Sequence, residues 1–446
     1  MENSKGVAFL MDMGTGKTIT TIALIGAMNL ENLIKRVLVV CPKSIIGVWE
    51  QEFLRFCQVK YQLMPLVDKI SVRKEAIKMM TKDFLQVIVV NYESTWRLEE
   101  ELIWWKPDMI VCDESSKIKT LYATQSRTMH KLGRLSKYNL ILTGTPVTNN
   151  PLDFYSQYKF LDDRILGNSY TNFKNRYAIF GGFHNKQIIG YNHLSELLEK
   201  VHSIAFRVKL EDAVDLPSVI DETRMVELEP KAKSIYQMLE RDCFAVLSDE
   251  KEVTAQNILS QLLRLSQCTG GYIRDKSFSP GDSTCVSTAK LDALEDIIDT
   301  CIDEGRKVVV FARFVPEILA IDSMLTKKNI RHSLIYGHVK DRDEQVRMFQ
   351  EDSDVKVFVG QLQTTGMGLT LTAASVTVYY SLDFSYANYE QSRARTHRIG
   401  QKEKCLYIHL IAKGTVDEKI MHALKQKGDV AKLMVDDWRS LINEKR

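Results

Sequence analysis

Short apolar runs, each followed by a stretch with helical apolar spacing, recur along the whole of this 446-residue chain. In the first half they cover residues 7–11, 36–40, 86–90, 109–112 and 138–142; in the second half they cover 307–312, 331–335, 355–359, 376–380 and 406–411. A strand that is apolar on both faces needs cover on both, and helices between successive strands supply it, so the alternation predicts parallel sheets wrapped by helices. The plan occurs twice. A chain of this length exceeds one core and fits two domains of roughly 200 residues each. The expected fold is therefore α/β, with two doubly wound parallel-sheet lobes and helical insertions.

The first apolar run leads into Gly14-Thr15-Gly16-Lys17-Thr18 and then into a segment whose apolar residues Ile19, Ile22, Ala23 and Ile25 fall at helical spacing. Glycines let a backbone curl so that its N–H groups point at phosphate oxygens, and the following helix N-terminus adds partial positive charge. Lys17 is placed to reach β- and γ-phosphates, and the Thr18 hydroxyl to reach Mg²⁺. The full pattern has a glycine where this chain has Met11, so the string alone is a partial match. The run at 109–112 ends on Asp113-Glu114, at the carboxyl end of a parallel strand, where open α/β sheets bind ligands. In such a pair one carboxylate holds a cation, here Asp113, and the other, Glu114, orients and deprotonates a water.

Composition narrows the partners. With 45% apolar and 26% charged residues this is an ordinary globular chain, and its net charge of +3 means that any nucleic-acid site must be a local stripe of Lys and Arg. The eight cysteines include no Cys-x-x-Cys pair and mostly sit in apolar segments, which reads as buried free thiols in a reducing compartment rather than a zinc site or a disulfide frame. No apolar run approaches 18 residues, so neither a membrane span nor a secretion signal is expected.

Between the two sets of runs lies a mainly helical stretch, about 151–290, containing Leu216-Pro217-Ser218 as an expected hinge and a turn-rich loop at 277–287. Residues 170–177 interleave aromatic and basic side chains, as a nucleic-acid surface does, though an amphipathic helix with buried rings reads the same way. Thr415-Val416-Asp417-Glu418 opens the last helix as a capping box. Near the end, Arg395 and Arg398 lie three apart, on one face if the segment is helical, so that both guanidinium groups can point at one phosphate.

These strings together resemble a Swi/Snf-type ATPase of helicase superfamily two, over nearly the whole length from Met11 to the helix at 417–427. Residues 12–18 resemble the family's first motif, and Asp113-Glu114 its acidic pair, with Ser115-Ser116 where most relatives have Ala-His. Cys41-Pro42-Lys43-Ser44, followed by Trp49-Glu50, resembles a motif that touches DNA backbone, and Leu142-Thr143-Gly144-Thr145-Pro146 one that couples the ATP site to DNA. Residues 308–314 and Gly366-Met367-Gly368-Leu369-Thr370-Leu371 resemble the fourth and fifth motifs, with Thr370 where Asn is usual; Arg395-Thr396-His397-Arg398-Ile399-Gly400-Gln401 is close to the family's form of the sixth.

The resemblance implies two RecA-like lobes, 1–218 with a helical protrusion at about 151–215, and 219–446 with a protrusion at about 229–285 and a C-terminal helix. It implies ATP and Mg²⁺ as cofactors. Lys17, Asp113, Glu114, Arg395 and Arg398 would be catalytic; Gly14, Thr15, Gly16, Lys17, Thr18, Gly366, Gly368 and Gln391 would contact nucleotide; Thr18 and Asp113 would hold the metal; and Pro42, Lys43, Ser44, Thr143 and Thr145 would contact DNA. The implied activity is DNA-stimulated ATP hydrolysis driving movement along double-stranded DNA without strand separation, by a monomer that displaces DNA-bound protein or follows a recruiting protein. A strand-separating helicase on DNA or RNA and an ATP-gated binding module of low turnover are the alternatives. No chromatin-reading, nuclease or zinc module is seen, which suggests a small phage or prophage form working in bacterial cytoplasm. Only ten residues precede Met11, where relatives carry an adenine-reading Gln motif, so truncation is the expectation.

Overall fold

The computed structural model describes residues 4–80, 83–182, 187–248, 255–273, 283–337, 339, 341–365 and 369–435. The chain divides into two compact units. The first runs to Asp215 and is joined by the described residues from Lys427 onward; the second is Leu216–Gln426.

The first unit is built on a parallel sheet of β1 (Gly6–Met11), β2 (Arg36–Cys41), β3 (Tyr61–Pro65), β4 (Leu85–Asn91), β5 (Met109–Asp113), β6 (Tyr138–Leu142) and, after an antiparallel hairpin of β7 (Ala178–Gly181) and β8 (Gln187–Tyr191), β9 (Ala205–Val208). The spatial order is β3-β4-β2-β5-β6-β1-β9. Val37, Leu38, Val39 and Val40 of β2 are wholly buried, with alternate residues feeding the cores on the two faces. Each such side chain removed from water contributes ~1.5–3 kcal/mol. Two-sided burial explains the uninterrupted apolar runs in the sequence.

The second unit begins with β10 (Val219–Val226). A two-residue antiparallel pair follows, β11 (Tyr272–Ile273) with β12 (Thr284–Cys285), and then β13 (Val308–Ala312), β14 (His332–Ile335), β15 (Val357–Gln361), β16 (Val376–Tyr379) and β17 (Cys405–Ala412). Its main sheet is again parallel, in the order β10-β17-β16-β13-β15-β14.

The expected domain limits need three corrections. The chain passes between units at Asp215–Leu216, just before Pro217, rather than after Ser218. The stretch after Pro151 is not a protrusion throughout. The helix Phe154–Leu161 buries Phe154, Tyr155, Tyr158, Phe160 and Leu161 in the core, and β9 is a strand of the main sheet. The helix Val416–Val435 is not confined to the second unit: Val416, Ile420 and Leu424 lie in that unit's core, whereas Met434 and Val435 are buried in the core of the first. The helix Tyr170–Tyr177 turns Phe173 and Tyr177 inward, their rings packed against each other and Phe173 against Tyr155, so it is an amphipathic helix with buried rings. Part of the 277–287 loop lies outside the described residues.

Candidate active site

Residues 12–16 link β1 to the helix Lys17–Leu30, and Gly14 and Gly16 take φ values of 83° and 86°, the left-handed region that glycine enters without steric cost. The helix N-terminus has no side-chain cap and no acidic residue in its first turn, which leaves its N–H groups open to an anion. Lys17 Nζ donates to the carbonyls of Met11 and Asp12, both at 3.0 Å. Asp12 anchors the start of the loop: its carboxylate accepts from Arg207 Nη1 at 2.6 Å and from the Leu210 N–H at 2.9 Å. Thr18 is half-buried on the first turn.

Asp113 ends β5, buried, and its Oδ2 accepts from Trp49 Nε1 at 2.9 Å. Burial, and next the Glu114 charge, push its carboxyl up to about 6 against the opposing pull of Lys17 and the Trp49 hydrogen bond. β1 and β5 flank β6 in the parallel sheet, so the phosphate loop and the acidic pair lie at the same, carboxyl end of it. Glu114 stands at φ 52°, an uncommon conformation for a non-glycine residue and one that clusters at active sites. Its Oε2 is buried without a hydrogen-bond partner. A carboxylate oxygen left bare is available to a water, as a general base requires. The hydroxyl of Thr18 and the carboxylate of Asp113 are oxygen donors of the kind Mg²⁺ takes, and two crowded carboxylates favour a dication between them and phosphate.

The loop after β6 closes on this site. A Cβ on Gly144 would meet the Met11 carbonyl at 3.2 Å and the Met13 nitrogen at 3.5 Å, so glycine there permits backbone-to-backbone approach to the phosphate loop. Thr143 is wholly buried and Thr145 nearly so, and Thr143 Oγ1 accepts from the Thr145 N–H at 3.0 Å. Both side chains, expected as DNA contacts, are buried in this structure. Of the other expected DNA contacts, Lys43 and Ser44 are exposed just past the carboxyl end of β2, but Pro42 is buried.

Two residues hold these parts together, Trp49 in a role other than the expected one and Gln157 without having been expected at all. Trp49, expected with the DNA-contacting motif, is 1% exposed and serves Asp113 instead. Gln157, wholly buried, accepts from Ser115 Oγ at 2.7 Å and donates to the Pro146 carbonyl at 2.7 Å, bridging the acidic pair to the loop after β6. Gln157 shares the helix Phe154–Leu161 with Ser156 and Lys159, so no local pattern singled it out.

In the second unit the helix Tyr386–Thr396 carries buried Gln391 and Arg395. It ends at Thr396, so Arg398 lies beyond the helix rather than on its face, yet the two arginines converge: Arg395 Nη1 and Arg398 Nη1 both donate to the Leu369 carbonyl, at 3.2 and 3.3 Å. Arg398 also donates to Thr370 Oγ1 at 2.9 Å, the threonine standing where asparagine was expected. Gln401 spends its side chain internally, donating to Ala374 O and accepting from the Lys402 and Glu403 N–H groups. Gly366 and Gly368 lie outside the described residues.

A phosphate loop beside an acidic pair, followed by a second parallel-sheet unit with a buried and a half-buried arginine on one carbonyl, defines a helicase-like ATPase. Residues 2–270 match the SNF2-related domain and residues 289–400 the helicase conserved C-terminal domain. The chain belongs to the SNF2-related family. Among its relatives are Chromodomain-helicase-DNA-binding protein 1-like of Danio rerio, 26% identical over all of this chain and 43% of the relative, and DNA repair and recombination protein RDH54 of Saccharomyces cerevisiae, 27% identical over 96% and 49%. An uncharacterized ATP-dependent helicase of Mycoplasma pneumoniae is 27% identical over 99% and 42%. The chain spans about half or less of the length of these relatives. Among solved structures, the Sulfolobus solfataricus SWI2/SNF2 ATPase core in complex with dsDNA matches 97% of this chain and 89% of its own, at 26% identity and a TM-score of 0.42.

Proposed function

We propose that this chain hydrolyses ATP in response to DNA and uses the strokes to move along double-stranded DNA, displacing or remodelling bound protein without separating strands. The observation that carries the catalytic part is the buried, unpartnered Glu114 Oε2 beside an Asp113 already oriented by Trp49. Glu114 accepts the proton of the attacking water. Lys17 leaves the loop carbonyls for the β- and γ-phosphates, and the open helix N-terminus at Gly16 takes phosphate charge. Thr18 and Asp113 would hold Mg²⁺, which when bound neutralises charge on the phosphate oxygens. Arg395 and Arg398 stabilise the charge that builds on the transferring phosphoryl group, so turnover requires the second unit's arginines to reach the first unit's nucleotide.

DNA as partner is supported by the relative named for DNA repair and recombination, and by exposed Lys43 and Ser44 at the carboxyl edge of the sheet. The naming of the Mycoplasma relative as a helicase favours strand separation as the second reading. Triplex displacement tests between them. Movement along a duplex suffices to strip a triplex-forming strand, whereas opening a fork must also break stacking at a mean of about 1.4 kcal/mol per step. ATP-dependent triplex displacement with the fork left paired is expected; fork unwinding without triplex displacement would overturn the reading.

A further inference from the structure

Arg395 and Arg398 sit in a short stretch whose flanks are tied to one place, the segment by which the chain enters the second unit. Arg393, on the same helix, pairs through both terminal nitrogens with the Asp221 carboxylate of β10, Nη2 to Oδ2 at 3.0 Å. Its guanidinium lies 4.1 Å from the ring centroid of Tyr407 and 5.4 Å from that of Tyr389, and its Nη1 also donates to the Tyr389 hydroxyl at 3.0 Å. Its carbonyl accepts from the Tyr407 hydroxyl at 2.8 Å. Such a planar, bidentate and stacked site is one that only arginine fills. Four residues on, His397 Nε2 lies 2.9 Å from the carbonyl of Pro217; a carbonyl only accepts, so that nitrogen carries the proton. Pro217 and Asp221 are likewise four apart, in the first six residues after the chain leaves the first unit, and β10 is an edge strand whose only sheet neighbour among the described residues is β17.

We propose that Arg393 and Asp221, seconded by His397 and the Pro217 carbonyl, are a positioning clamp that makes the placement of Arg395 and Arg398 follow the path of the inter-unit connection. The clamp rests on the reading of those two arginines as the charge-stabilising pair. When the entry segment moves, it draws on both sides of Arg395 and on the residue next to Arg398, so both guanidinium groups shift together relative to the Leu369 carbonyl they share. A change at the connection is thereby converted into a change in catalytic rate. A salt bridge that merely held β10 in place would affect stability and nothing else.

The test uses the full chain and measures duplex-stimulated ATPase kcat, KM for ATP, duplex affinity and Tm for Asp221→Asn, Arg393→Lys and the exchange Asp221→Arg with Arg393→Asp. Asp221→Asn keeps the shape and removes the charge. It is expected to lower stimulated kcat roughly tenfold while KM, duplex affinity and Tm stay near parental, coupling networks of this kind being worth factors of that size. Arg393→Lys should rescue poorly because an ammonium cannot fork, and the exchange should recover most of the rate. Parental kcat in Asp221→Asn, or a loss of Tm with kcat per folded molecule unchanged, would overturn the clamp. Arg395→Ala and Arg398→Ala run in parallel: if these two retain full turnover, the reading of the arginines fails; if they abolish it while Asp221→Asn does not, the clamp alone fails.

Discussion

Both units follow an interior strand of a parallel sheet with a helix, and they treat that helix's N-terminus in opposite ways. After β1 in the first unit, the chain loops through two left-handed glycines and starts the helix Lys17–Leu30 with no cap and no acid in the first turn. After β13 in the second, the helix Val315–Lys327 carries Glu317 in its first turn, and Glu317 Oε2 accepts from the N–H groups of Arg313 and Phe314 at 3.2 and 3.1 Å. The same concentration of N–H groups and positive dipole is left open to a phosphate in one unit and closed by the chain's own carboxylate in the other. This difference agrees with the proposal that the first unit binds the nucleotide and the second contributes arginines.

The largest effect should come from the open end. Glu114→Gln removes the base but preserves the shape of the site, so ATP turnover should fall by on the order of 10³ to 10⁴ while nucleotide affinity persists; Lys17→Ala should weaken both. Steady-state ATPase rates with duplex DNA, paired with equilibrium nucleotide binding, check this. A Glu114→Gln protein hydrolysing at near the parental rate would remove the base assignment and with it the contrast between the units.

Next in size, Arg398→Ala should reduce DNA-stimulated turnover by on the order of 10³ with duplex affinity nearly intact. Loss of duplex affinity with the rate per bound complex preserved would instead make the second unit's arginines a DNA grip.

The fold was legible wherever a strand is covered on both faces, because such a strand is an unbroken apolar run, as in β2, β4 and β13. Three strands of the two main sheets were not. β3 is only half-buried along its length, β9 is a short edge strand, and β10 exposes Ile220, Asp221, Glu222 and Thr223, polar residues among them diluting its pattern. The site shows the same division. Lys17 and the Asp113-Glu114 pair announce themselves because the chemistry needs neighbouring residues in fixed order. Trp49 and Asp113 are 64 positions apart, and Gln157 and Ser115 are 42 apart, so no local spacing records those partnerships. The clamp on Asp221 escaped for both reasons, a polar edge strand and a partner far along the chain.

A third test concerns the closed end directly. Glu317 is 1% exposed, and burial pushes its carboxyl up to about 7 from the ordinary 4.5, against the hydrogen bonds from Ser381, Phe314 and Arg313 and the charge of Lys290. Between those two values the folded protein keeps a proton that the unfolded chain releases, so stability should decline as pH rises from about 4.5 to about 7 and level off above. The decline attributable to this group is about 3 kcal/mol. Denaturant titrations of the parent and of Glu317→Gln across that range measure it. The variant should lack this part of the slope; an unchanged slope would place the titration elsewhere.

The smallest effect should come from the support of the other buried carboxylate. Asp113 and Glu317 are both pushed up by burial, but Glu317 Oε2 takes two backbone N–H groups and the Ser381 hydroxyl, whereas Asp113 takes one donor on each oxygen, the Glu114 N–H at 2.9 Å and the Trp49 indole. Trp49→Phe keeps an aromatic ring beside Phe53, removes the indole donor and leaves a small cavity. Outer-shell partners of this kind are worth roughly tenfold to a hundredfold in activity or metal affinity, and here the lower figure is expected because Lys17 still opposes protonation. Since the lost hydrogen bond favoured the charged form, the carboxyl should rise further and the acid limb of the ATPase pH profile should move to higher pH, with more Mg²⁺ needed for half-maximal rate. An unchanged acid limb together with an unchanged Mg²⁺ requirement would show that Trp49 only packs, and that Asp113, like Glu317, is fixed by its own backbone.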